Sequence, residues 1–105
     1  MMLDRNLLYS NASDFFSKQG NNVMKLTPKA AIDVCKKSVE LKYLVSRIEG
    51  GIWHNPGFEM RLDCIWDRDK TLDGKSQLAS EEAIKFIEEE LVDHTAFIVS
   101  LQKIE

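Results

Sequence analysis

The sequence predicts an α+β fold: an antiparallel sheet of at least three strands with helices on one face, in the order α-β-β-α-β. Three observations predict it. Residues 27–42 carry apolar positions at helical spacing, residues 43–68 switch to a period of two around a proline-glycine turn, and residues 80–102 repeat the change from helix to strand. A chain of 105 residues provides one domain with one modest core.

The first helix, TPKAAIDVCKKSVELK at 27–42, opens with Thr27 as N-cap and Pro28 at the first helical position, where a missing N–H costs nothing. Ala31, Val34, Cys35 and Ser38, flanked by Ile32 and Val39, form its inward stripe, while Lys29, Asp33, Lys36, Lys37 and Glu40 face water. From Tyr43 a strand begins, and Gly50-Gly51 interrupts it where a bulge or a close backbone approach is expected. Asn55-Pro56-Gly57 has the residue types of a type II turn, so the chain reverses there. The next strand alternates strictly: Phe58, Met60, Leu62, Cys64 and Trp66 on a face expected to be core, with Glu59, Arg61, Asp63, Ile65 and Asp67 on a wet one.

Residues 67–77 are polar and form a connecting loop whose acid spacing lacks the ligands of a calcium loop. Ser80 is expected to cap a second helix reaching about Asp93, with Glu81 and Glu82 at its positive end and Ala83, Ile84, Ile87 and Leu91 buried. A third strand follows over 95–102. Residues 1–23 have two readings, a further helix packed on the core or a loosely attached arm. They are treated as an N-terminal extension to a domain at 24–105.

Composition excludes several classes of function. A hydrophobic fraction of 44% and a charged fraction of 30% are those of a globular protein rather than a disordered or membrane-embedded one. The first residues lack the apolar run of a secretory signal, so the expected location is the cytoplasm, without membrane attachment. Cys35 and Cys64 are expected to be reduced core thiols. The net charge of −3 hides a polarity: residues 1–57 hold eight Lys/Arg against five Asp/Glu, and residues 58–105 six against twelve. A direct nucleic-acid binder shows the opposite excess. Acid gathered late in the chain suits a basic protein partner.

Catalytic chemistry finds little material. The two histidines lie far apart; His94 sits where a cation favours a helix C-terminus, and no metal, phosphate-loop or dinucleotide motif is present. No cofactor is implied. His54 with Asp63 or Asp67 is the remaining enzymatic reading, and it requires a pocket at those side chains. What stands out is a surface of rings among acids. Trp53 and Trp66 lie near opposite ends of the hairpin, Trp66 on the apolar face and Trp53 facing either way because of the glycine pair. Tryptophan is enriched among interface hot spots. Glu49, Asp63, Asp67 and Asp69 near the same sheet would steer a basic partner.

Three segments, MKLTPKAAIDVCKK at 24–37, GGIWHNPGF at 50–58 and TAFIVSL at 95–101, resemble in order and spacing the immunity proteins of the E-five colicin. The likeness covers about Met24 to Gln102. It implies a stoichiometric inhibitor and no enzyme: a protein that occupies, one to one, the basic cleft of a toxin that cuts tRNAs in the anticodon loop, by imitating the anticodon stem-loop. On that reading GGIWHNPGF shapes the binding surface, and Glu49, Trp53, His54, Asp63, Trp66, Asp67 and Asp69 are the expected contact residues. Residues 59–94 diverge from the family pattern, which points to a different anticodon-loop nuclease, such as the terminal domain of a contact-dependent inhibition protein. The family begins near Met24, so residues 1–23 are expected to reflect an upstream start codon. An antitoxin or regulatory module for another basic protein is the alternative reading.

Overall fold

Among residues 3–104, which this computed structural model describes, the elements run β1 (Leu8–Tyr9), α1 (Ala12–Ser17), β2 (Lys25–Leu26), α2 (Pro28–Glu40), β3 (Tyr43–Trp53), β4 (Phe58–Asp67), a 3-10 turn (Lys70–Leu72), α3 (Ser76–Glu90) and β5 (Ala96–Lys103). The expected domain limits at Met1 and Glu105 lie outside the described residues. One sheet forms in the order β1-β2-β5-β3-β4, antiparallel apart from the β1–β2 pair. This is the α+β class the periodicity predicts, with β3, β4 and β5 as its long strands.

α2 packs over β3 and β5, α3 over β3 and β4, and the two helices pack on one another with α1 beside α2. The smallest dimension, 18 Å, is that of one sheet under one layer of helices. The main core is therefore one-sided: Phe97, Val99 and Leu101 of β5 and Ile48 of β3 meet Val34 and Cys35 of α2 and Ala83 and Ile87 of α3.

Local chemistry explains the helices. Thr27 Oγ1 accepts from Ala30 N at 3.2 Å, satisfying a donor that the first helical turn leaves unpaired. Ala30, Ala31, Val34, Cys35 and Ser38 are buried. α3 departs from expectation by starting at Ser76 rather than at a Ser80 cap. Gly74, with a φ of +77°, breaks the chain just before it, and nothing between Lys75 and Glu90 opposes helix. Ser80 is instead buried one turn inside. Its hydroxyl donates to Cys35 O at 2.7 Å, as does that of Ser38 at 2.7 Å, so two serines on adjoining helices satisfy one carbonyl where the helices touch. The helix also ends early, at Glu90, and Leu91 is exposed.

The N-terminal stretch takes the first of its two readings. Asn11 caps α1 by accepting from Asp14 N at 2.9 Å, Phe15 is buried, and Tyr9 joins Phe15, Met24 and Leu26 in the main core. Asn21 extends the sheet edge with its side chain: its amide donates to Leu101 O at 3.0 Å and its oxygen accepts from Leu101 N.

The hairpin also differs in two ways. The Asn55-Pro56 peptide is cis, and the loop is closed by His54 N donating to Gly57 O at 2.8 Å, so Pro56 occupies the third turn position rather than the second. The chain still reverses. More consequential is the β3–β4 register. Glu49 faces Ile65 and Gly51 faces Met60, leaving residues 61–64 opposite Gly50 alone. Because the excess is an odd number of residues, the alternation changes face across it. Cys64 and Trp66 point toward the helices as expected, whereas Phe58 and Met60 are carried to the opposite face and Leu62, 82% exposed, is not core. No helix among the described residues is long and apolar enough to cross a membrane.

Candidate functional site: the uncovered sheet face

The face of β3, β4 and β5 away from the helices carries the candidate site. Counting from Ile48, which is core, positions 47, 49, 51 and 53 of β3 point away from the helices. Their register partners on β4 are Asp67, Ile65, Met60 and Phe58, and on β5 Ser100, Ile98 and Ala96 lie beside Arg47, Glu49 and Gly51. Each of these residues is placed by ladder pairing rather than by a loop, so the surface is rigid.

The glycine pair makes this arrangement possible. A Cβ on Gly50 would collide with Cys64 Sγ and the Phe97 ring on the helix side, and one on Gly51 would collide with Glu59 O and the Phe58 ring on the other. Two consecutive residues without side chains thus let the bulge close against the core and the Phe58 ring lie over the strand.

At the centre of the face Arg47 lies between two acids, with Nε 3.5 Å from Glu49 Oε1 and Nη1 3.6 Å from Asp67 Oδ1. The Nε atom is shielded from solvent and makes no well-formed hydrogen bond among the described residues. The group is net anionic. Toward the hairpin the surface becomes apolar through Trp53, Phe58 and Met60. At its tip His54 Nε2 is 2.8 Å from Glu59 Oε1, and Arg61 Nε is 3.5 Å from Glu59 Oε2. The His54 hydrogen bond, then the Arg61 charge, hold the Glu59 carboxyl below its ordinary pKa.

Of the expected contact residues, the structure brings Glu49, Trp53 and Asp67 together on this face and His54 to its hairpin end. Asp63 stands exposed on the bulge at the sheet edge. Asp69 lies past the strand, where its carboxylate accepts from Thr71 N at 2.9 Å; that bond lowers its pKa. Trp66 is apart from them, pairing with Ile48 on the helix-facing side, against the core. His54 pairs with Glu59, not with Asp63 or Asp67. The concavities near Phe15 and Tyr43, near Leu44 and Ile104, and near Trp66 and Phe86 are lined by residues other than His54.

Arg47, Phe58, Met60 and Ile65 belong to the face and were not among the expected residues. Only the register reveals Phe58 and Met60, because the alternation runs unbroken through the bulge. One further cluster lies on the helix side. Cys64, Glu90 and His94 bring a thiol, a carboxylate and a ring nitrogen within 4.8 Å of one another, and the Glu90–His94 spacing of one helical turn is its sequence signal.

Comparison with known proteins is consistent with this frame. Residues 24–102 match the family described as Colicin-E5 Imm protein. The chain is 44% identical over 106 residues to Immunity protein CdiI of Burkholderia pseudomallei, covering 99% of this chain and 97% of that protein. It is 37% identical over 82 residues to Colicin-E5 immunity protein of Escherichia coli, covering 75% of this chain and 99% of that one. Residues 1–23 thus have counterparts in the first relative, while the second does without most of them. The chain belongs to the colicin-E5 immunity protein family, and it is an immunity protein rather than an enzyme.

Proposed function

We propose that this protein neutralises a bacterial ribonuclease toxin that cleaves tRNA, by seating the uncovered face of β3 and β4 in the toxin's basic tRNA-binding cleft. The toxin is the partner, at one to one, and the inhibitor acts in the cytoplasm, where the tRNA substrate is. Membership of the immunity family supports inhibition of a toxin. The observation that carries the finer reading is that one face holds the Trp53–Phe58 pair at its hairpin end and, farther along the β3–β4 ladder, Glu49 and Asp67. Rings able to replace stacked bases and carboxylates able to replace phosphates thus share one surface that no helix covers.

On this reading Glu49 and Asp67 meet cationic side chains of the cleft. Trp53 and Phe58 supply the buried contact area that slows release. Asp63 on the bulge and His54 at the hairpin tip flank the contact. Trp66 acts from behind, fixing β4 against the core.

The test is to purify the chain with the toxin domain encoded beside it and measure cleavage of tRNA. A one-to-one complex that abolishes cleavage, and that excess tRNA displaces, supports the proposal. A stable complex in which the toxin still binds and cuts tRNA overturns it.

A further inference from the structure

We propose that Cys64, Glu90 and His94 form a binding site for one borderline-soft divalent metal ion of the zinc class, a site separate from the toxin-binding face. The three residues come from three places in the fold: the end of the β4 bulge, the last residue of α3, and the corner leading into β5. Their ligand atoms lie within 4.8 Å of one another, and Cys64 and His94 are buried while Glu90 is partly so.

The donor set selects the ion. Thiolate and imidazole exclude calcium and magnesium, which take oxygen ligands, and one sulfur, one nitrogen and one carboxylate oxygen suit tetrahedral Zn²⁺ with a water in the fourth position. With bonds of about 2.0–2.3 Å the donor atoms of such a site sit roughly 3.2–3.8 Å apart. The widest separation in the cluster therefore closes by roughly 1.0–1.6 Å at most. Charge balances as well: a thiolate and a carboxylate neutralise the dication, the imidazole binds neutral, and the thiol proton leaves to solvent.

The surroundings match a metal site. The absence of a side chain on Gly50 makes the space that the Cys64 sulfur fills. The Gly50 N–H donates to that sulfur, the outer-layer hydrogen bond that steadies a coordinated thiolate. Without metal, the negative charges of Glu90 and Asp63 add to burial in keeping the thiol protonated, and a cation reverses that preference. The metal-free groups bond among themselves, with His94 Nδ1 donating to Glu90 O at 3.0 Å and lying 3.3 Å from Glu90 Oε2. An ion would replace this weak arrangement with a staple joining β4 to the α3–β5 corner.

The experiment uses the full chain, reduced and stripped of metal, titrated with Co²⁺ and with Zn²⁺ alone. Expected are one equivalent bound, a thiolate-to-cobalt charge-transfer band, and a raised melting temperature. Cys64→Ser, Glu90→Gln and His94→Ala each weaken binding at least about tenfold, whereas Cys35→Ser leaves it unchanged. Absence of the charge-transfer band in the wild-type chain, or equal affinity in Cys64→Ser and Glu90→Gln, overturns the proposal. Glu90→Gln, at a partly exposed helix end, keeps the comparison informative if a core variant fails to fold.

Discussion

The Cys64 thiol occupies the space that a side chain on Gly50 would fill, and this contact is what closes the β4 bulge onto the core. Gly50→Ala is expected to destabilise the fold by about 1–3 kcal/mol, as overpacking of a dense interior does, lowering the melting temperature by several degrees. Cys64→Ala removes the colliding sulfur, so the two changes together should cost less than their sum. A thermal-denaturation double-mutant cycle measures this; strict additivity would contradict the contact.

Both thiols give the protein an alkaline limit. Burial pushes Cys35 from 9.0 up to about 12, and burial with the Glu90 and Asp63 charges takes Cys64 to about 12 as well. The folded state holds its thiol protons where the unfolded chain has lost them. Stability is thus complete below the ordinary thiol pKa and falls as pH rises from 9.0 toward about 12, by about 1.4 kcal/mol per pH unit for each thiol. Denaturant melts of the metal-free protein across that window should show the decline, and Cys35→Ala should reduce its slope.

Trp53 and Asp67 should act on different rate constants of toxin binding. Trp53→Ala removes contact area and is expected to weaken binding by about 2 kcal/mol, or about thirtyfold, through faster dissociation. Asp67→Lys places a cation beside Arg47 and should slow association about tenfold at low ionic strength, with a flatter salt dependence. Stopped-flow association and surface-plasmon dissociation separate the two effects.

Leu62 offers a contrast with its neighbour two residues on. At 82% exposure, Leu62→Ser is expected to change stability by no more than about 0.5 kcal/mol. A loss of several kcal/mol in urea denaturation would place Leu62 in the core and restore the unbroken alternation.

Residues 3–23 contribute to stability, away from the proposed toxin-binding face. Phe15 is 3% exposed within the main core, and Phe15→Ala is expected to cost about 3 kcal/mol or more with toxin affinity unchanged. A chain of residues 24–105 should fold and bind toxin at a lower melting temperature, since the 82-residue match leaves little of the shorter relative uncovered. Calorimetry together with the tRNA-cleavage assay checks both parts.

Features that depend on neighbours in sequence were legible without a structure. Thr27 and Pro28 start α2, the stripe from Ala31 to Ser38 faces inward, the proline turn reverses the chain, and the segments around Met24, Trp53 and Phe97 carry the family resemblance. Ser80 shows the limit of local reading: it has the residue type of a cap, but Gly74 sets the start of α3 and packing turns the Ser80 hydroxyl onto Cys35. The N-terminal docking of Tyr9 and Phe15 is likewise decided by contacts distant in sequence.

The sequence by itself determined the fold class, the family and the charge polarity, because periodicity, capping and composition are properties of short windows. Tertiary structure alone decided which side of the sheet each residue of β4 faces and which side chains meet at Cys64. An odd excess of residues against Gly50 reverses an alternation that stays perfect in the sequence, since a strand's face is fixed by its partner's register and not by its own pattern.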